Sequence, residues 1–241
     1  MAVLGVPTDM PVEIAVDILR GIKDYLSEVG GALVGGHTIF NPWPLSGGEV
    51  TAIAHPSQIV YQRGARAGDV LVLTKPLGTQ PAMAVYRSVK EPETRELVLS
   101  VLSEKEAEEL VRKAIGFMTQ SNKPVAEAMR EVKPNAATDV TGFGLVGHAG
   151  NIARESGVDV EIQFLPVMRG AVQVSELFGY GLERGEAAET SGGILASLPK
   201  EKVDEFLGEL KKRGVTAYIV GEIKRGEGKV TVKRDVEMIE V

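Results

Sequence analysis

The chain has no cysteine, which excludes disulfides, thiolate metal sites and a cysteine nucleophile. Histidine is nearly as scarce, with three residues in 241. Zinc is therefore disfavoured, and a carboxylate-bound Mg²⁺ is the metal that the composition leaves open. Basic residues are in deficit, 27 Lys and Arg against 33 Asp and Glu, for a net charge of −6. That balance argues against a nucleic-acid groove, yet it permits a local phosphate site built from backbone amides and metal ions. No apolar run approaches the roughly 18 residues of a membrane span. Residues 1–7 lack the basic start and long apolar core of a signal peptide. A cytoplasmic protein without membrane or nucleic-acid partners is expected.

What is present is an ordinary globular composition, 44% hydrophobic and 25% charged, long enough for one large domain or two smaller ones. Helical and strand periodicities alternate without an internal repeat, so the class is α/β or α+β. Residues 1–7 form a short apolar stretch with no partner of its own. A helix is expected from Pro11, capped by Thr8 or Asp9, with Ala15, Ile18, Leu19 and Ile22 on one face and Gly30-Gly31 as its stop. A buried strand over 32–34 and an alternating strand over 49–55 follow. The Gly- and Arg-rich segment 63–69 marks a boundary, giving domains 1–62 and 63–241.

In the second domain, 70–74 reads as a strand covered on both faces. Helices are expected over 80–89, over 91–112 with a turn at Ser103, and over 125–131. A strand end at 136–138, a helix over 145–155 with Ile152 inward, and a strand over 158–164 come next. The apolar residues 194–196 follow a small-residue loop. A helix over 202–213 and strands over 215–219 and 229–232 close the chain.

The stretch Thr138-Asp139-Val140-Thr141-Gly142-Phe143-Gly144-Leu145-Val146-Gly147-His148 sets one carboxylate before three glycines and a helix. Asp139 suits either a hard cation or a helix cap, and the following helix would aim its N-terminal amides at the same place. His148 reads as a structural hydrogen-bonding residue. Gly35-Gly36-His37-Thr38 offers close backbone approach, an imidazole and a hydroxyl, or simply a tight turn. Thr190-Ser191-Gly192-Gly193 could supply hydroxyls and amides to an anion, or turn the chain. Lys75 reads as a phosphate contact or a solvated loop lysine.

Taken in order, the segments at 35–39, 73–79, 138–148 and 189–195 resemble selenophosphate synthetase (selenide, water dikinase), of the aminoimidazole ribonucleotide synthetase superfamily. The resemblance spans nearly the whole chain. It implies a two-domain fold, with a truncated N-terminal dimerisation domain and a complete C-terminal α/β domain. It also implies a homodimer that makes selenophosphate from selenide, ATP and water, with ATP held by Mg²⁺. Asp139 matches a metal ligand of that family, and Gly36, His37 and Thr38 match a nucleotide-contacting segment. The family's N-terminal Cys and Lys segment and its other metal aspartates have no counterpart here. On that ground a fragment, a split enzyme with a separate N-terminal segment, or a dimeric pseudoenzyme are all expected readings, and this chain alone is expected to be inactive. A related ATP-dependent kinase with another substrate is the competing enzyme reading.

Overall fold

A computed structural model describes residues 1–241. The chain divides into two compact units, Met1–Gln58 and Ile59–Val241.

The first unit is built on β1 (Ala2–Val6), the centre of a three-stranded sheet. It pairs parallel with β2 (Gly36–Phe40) and antiparallel with β3 (Leu45–Gly48). The parallel pair needs a crossover, which α1 (Val12–Glu28) supplies. Pro11 holds the N-cap position without any side-chain cap, and Gly30 (φ 83°) turns the chain out at the end. The apolar opening of the chain thus has two partners, contrary to the expectation from sequence.

The neighbouring strands are displaced from their expected places for the same reason. Residues 32–34 are not a strand: the pairing with β1 begins at Gly36, opposite Ala2. Residues 49–55 are not a strand either: the register of β3 with β1 closes at Gly48 opposite Ala2, followed by a single bond from the Glu49 N–H to the Met1 carbonyl. The apolar character of both stretches stays in solvent, with Val34 82% and Ile53 101% exposed.

The second unit is a six-stranded sheet of β4 (Val70–Leu73), β5 (Ala136–Asp139), β6 (Val158–Val167), β7 (Ile194–Leu198), β8 (Tyr218–Arg225) and β9 (Val230–Glu240). The spatial order is β5-β7-β4-β8-β6-β9. Every neighbouring pair is antiparallel except β6 with β9. Six helices cover it: α2 (Thr79–Ser88), α3 (Pro92–Leu99), α4 (Glu104–Thr119), α5 (Lys123–Val132), α6 (Gly144–Ser156) and α7 (Ala171–Phe178). A seventh, α8 (Val203–Lys212), follows β7.

Strand β4 is apolar at every position because its alternate side chains serve two cores. Leu71 and Leu73 join the larger core with Leu145, Ile152 and Leu165. Val72 joins the smaller one with Val125, Phe206 and Leu210, contributed by α5 and α8. Ser103 starts α4 with a capping box: its hydroxyl accepts from the Glu106 N–H, and Glu106 reaches back to the Ser103 N–H.

Boundaries differ from expectation here as well: α4 runs on to Thr119 rather than 112, and β6 to Val167 rather than 164. Strand β8 begins at Tyr218, not at 215, and β9 runs on to Glu240. Residues 233–240 are charged and mostly exposed because β9 is an edge strand, so no apolar period marks them. Helix α7 carries no signal read from sequence. No helix is long and apolar enough to cross a membrane.

Candidate functional site

Strand β5 ends in Asp139, opposite Ile194 of β7. Beyond that pair the two chains stay side by side: Val140 N–H donates to the Gly193 carbonyl (2.9 Å), and Glu189 N–H to the Thr141 carbonyl (2.9 Å). The motifs at 138–148 and 189–195 are therefore one structural feature. Gly192 is required there, since a Cβ would lie 2.1 Å from the Val140 carbonyl oxygen. Gly193 is equally constrained, with a Cβ position 2.5 Å from the Lys75 nitrogen. The segment after β4 joins the same cluster.

Lys75 is neither a solvated loop residue nor a phosphate contact. It is 3% exposed, and its ammonium donates to the carbonyls of Phe117 (2.9 Å), Gln120 (2.7 Å) and Ser191 (2.9 Å). All three protons are used. Two of the acceptors lie at the C-terminal end of α4, where a cation is favoured. Burial lowers the Lys75 pKa to about 8.

Glu189, at the start of the 189–195 segment, carries no signal of its role in the sequence and is also buried. Its carboxylate accepts from Gly78 N–H (2.7 Å), Thr79 N–H (3.0 Å) and Thr79 Oγ1 (2.5 Å). It thus fills the N-terminus of α2, where donors lie open and the dipole favours an anion. Burial raises its pKa to about 7 against the pull of those bonds. Lys75 and Glu189 neutralise backbone groups, not each other.

The start of α6 is closed too, contrary to the expectation that its amides would face a ligand. Gly144 N–H donates to Thr141, Val146 N–H to Gly185 and Gly147 N–H to Phe143. Neither helix terminus offers an open set of donors to a phosphate.

What remains open is the carboxylate itself. Asp139 is exposed, and no protein group donates to it. No three His, Asp or Glu side chains are grouped to hold a metal ion. Mg²⁺ commonly takes one or two carboxylates, completing its six oxygens from phosphates and water. One exposed carboxylate beside two hydroxyl residues suits a metal that arrives with a polyphosphate, and not a metal held by protein alone.

Behind this end of the strand, His148 is 6% exposed. Its Nε2 lies 3.1 Å from Thr141 Oγ1, its Nδ1 has no partner, and its ring meets Phe143 at 5.5 Å. Burial lowers its pKa, with the Asp139 charge opposing. A neutral imidazole follows, holding Thr141 in place. That agrees with the structural role read from sequence.

Gly36, His37 and Thr38 belong to the other unit, on β2, and are exposed. They line an open depression of about 550 Å³ with Leu19, Leu33 and Val34. Gly36 has a structural reason to be glycine: a Cβ would sit 1.9 Å from the Ala2 carbonyl oxygen. It is a strand residue and not part of a turn.

Residues 66–233 match the family of AIR synthase related proteins, C-terminal domain. The chain is similar to the selenide, water dikinase of Methanocaldococcus jannaschii, 41% identical over 249 residues, covering 100% of this chain and 70% of that protein. It is also similar to selenide, water dikinase 2 of Homo sapiens, 37% identical over 231 residues, covering 93% of this chain and 52% of that one. Among solved structures, the hydrogenase maturation protein HypE in complex with ATP superposes with a TM-score of 0.70 at 16% identity, covering 100% of this chain and 72% of that chain. At that identity the likeness establishes the fold alone.

Proposed function

Because the chain belongs to the selenide, water dikinase family of AIR synthase related proteins, we propose that it forms the C-terminal bulk of an enzyme that makes selenophosphate from selenide, ATP and water, releasing AMP and phosphate. The observation that carries the reading is Asp139, an exposed, unengaged carboxylate at a strand end whose surrounding loops are fixed by buried Lys75 and Glu189.

In this reading Asp139 holds Mg²⁺ that accompanies ATP. The metal's contribution is to neutralise charge on the polyphosphate and its transition states. The chain's own residues supply rigidity. Thr141, set by His148, and the loop 189–193, set by Lys75, keep the Asp139 backbone in register without conformational search. Gly36, His37 and Thr38 are the proposed nucleotide contacts. A single carboxylate is too little to balance a triphosphate, so the other metal ligands come from residues outside this chain, whether on the same polypeptide or on a separate segment.

A homodimer accompanies the proposal. The first unit buries few apolar side chains, Ala2 and Leu4 among them, and leaves Phe40, Trp43, Leu45 and Val50 more than half exposed. Apolar exposure on that scale marks an interaction surface. A second reading, a dimeric binding protein that keeps the fold without the reaction, is favoured by the missing carboxylate cluster.

The test is formation of AMP that depends on selenide, followed by ³¹P NMR with Mg²⁺ and ATP. We expect no turnover by this chain alone. Turnover is expected when a segment carrying the family's remaining metal aspartates is added, and Asp139→Asn should lower it by about 10²-fold. A complemented mixture that binds Mg²⁺ and ATP yet never forms AMP supports the second reading and sinks the first.

A further inference from the structure

Ser191 is one of two non-glycine residues with positive φ, at 50°. The other, Lys133, caps the end of α5, where a left-handed residue commonly terminates a helix. Ser191 ends no helix. It precedes Gly192 and Gly193, so glycine would serve the backbone better, and yet serine stands there. Strain of this kind persists where the surroundings over-determine it. Here they do. Thr190 N–H donates to Thr79 Oγ1 (2.9 Å), the Ser191 carbonyl accepts from Lys75 Nζ (2.9 Å), and the Gly192 carbonyl accepts from Asn122 Nδ2 (2.9 Å).

While these groups are pinned, others are left over. The N–H groups of Ser191 and Gly192 donate to no protein acceptor, although Gly192 is buried. The hydroxyls of Thr190 and Ser191 are exposed and engage no protein group. Unpaired backbone donors in such a place call for a partner. Successive N–H groups around a left-handed residue form an anion-binding concavity. Four neutral donors thus lie on the arch that runs beside Asp139.

We propose that Thr190, Ser191 and Gly192 form a receptor for a tetrahedral phosphoryl oxyanion, bound next to the Asp139 metal position. The proposal rests on the reading of Asp139 given above and adds a ligand-contacting role for the 190–192 arch. Neutral donors suit the location, because an anion beside Asp139 needs its charge balanced by a cation and its oxygens satisfied by hydrogen bonds. The phosphoryl group could belong to the nucleotide or be free phosphate.

The test is amide NMR of the full chain, titrated with orthophosphate plus Mg²⁺ in one arm and a non-hydrolysable ATP analogue plus Mg²⁺ in the other. We expect saturable shifts at the Ser191 and Gly192 amides, and the arm that produces them identifies the source. Ser191→Ala and Thr190→Val should each weaken binding at least fivefold with unchanged melting temperature. Ser191→Gly should raise the melting temperature while weakening binding similarly. If Asp139→Asn abolishes nucleotide binding and the Thr190 and Ser191 variants bind like wild type, the Asp139 reading stands and the receptor is wrong. Absence of shifts at the Ser191 and Gly192 amides in both arms overturns the receptor and leaves the Asp139 reading to the complementation assay, and a lower melting temperature for Ser191→Gly overturns the strain argument.

Discussion

Replacing Lys75 with methionine isolates a buried charge whose three protons are all engaged. The side chains are similar in length, so the change removes an ammonium and little volume. Three carbonyls, of Phe117, Gln120 and Ser191, lose their donor. At about 1.5 kcal/mol for each buried acceptor left unsatisfied, the loss is about 4–5 kcal/mol. Against it stands the desolvation of the cation. Its pKa falls from 10.5 to about 8, which at about 1.36 kcal/mol per pKa unit is about 3.4 kcal/mol that the variant no longer bears. The net prediction is that Lys75→Met lowers stability by about 1 kcal/mol at pH 7. For a chain of this size that is a drop of roughly 2–4 °C in Tm. The pH dependence is the sharper test. Between about pH 8 and pH 10.5 the unfolded wild type keeps the proton and the folded wild type releases it. Wild-type stability therefore rises relative to the variant across that window. Urea unfolding of both proteins from pH 7 to pH 10 reads the difference. A variant as stable as wild type at pH 7, or a gap that stays flat to pH 10, would refute the reasoning.

Two further outcomes follow from the same structure. Glu189→Gln sets an amide NH₂ against the N–H donors of Gly78 and Thr79 and should destabilise by about 1–3 kcal/mol near pH 7. Because burial raises the Glu189 pKa to about 7, the folded wild type binds more protons than the unfolded chain between pH 4.5 and pH 7. Its stability falls as pH rises through that window, so the gap to the variant should widen on acidification; melts at pH 5, 6 and 7 check this. Gly36→Ala drives a Cβ into the Ala2 carbonyl and should open the β1–β2 pairing. Hydrogen exchange would show faster amides in residues 2–6 and 36–40, and unchanged protection there would contradict the close approach.

Much of the second unit was legible because its signals are local. A continuous apolar β4, a serine three residues before Glu106, and an aspartate between an apolar segment and three glycines each carry their meaning within a few residues. Lys75 was misread because its burial is decided by Phe117 and Ser191, 42 and 116 residues away. A lysine before a proline looks solvated until those partners are known. The strands of the first unit were displaced because an apolar run says nothing about register. Ala2 sets it, pairing with Gly36 on one side and Gly48 on the other. The closure of both helix N-termini at the site, by Glu189 and by the Gly185 carbonyl, depends on a loop that no period announces.

The order of strands in the larger sheet bears on how the polypeptide is made. Val70 pairs with Leu198 on one side and Glu222 on the other. Both partners emerge from the ribosome more than a hundred residues after β4. At about 5–20 residues per second, the wait until Glu222 appears is roughly 8–30 s. For most of that time, until Leu198 is made, a strand apolar on both faces has neither neighbour. A segment deeply buried in the finished protein is thus exposed for seconds during synthesis, and it is where a nascent-chain chaperone would be expected to bind.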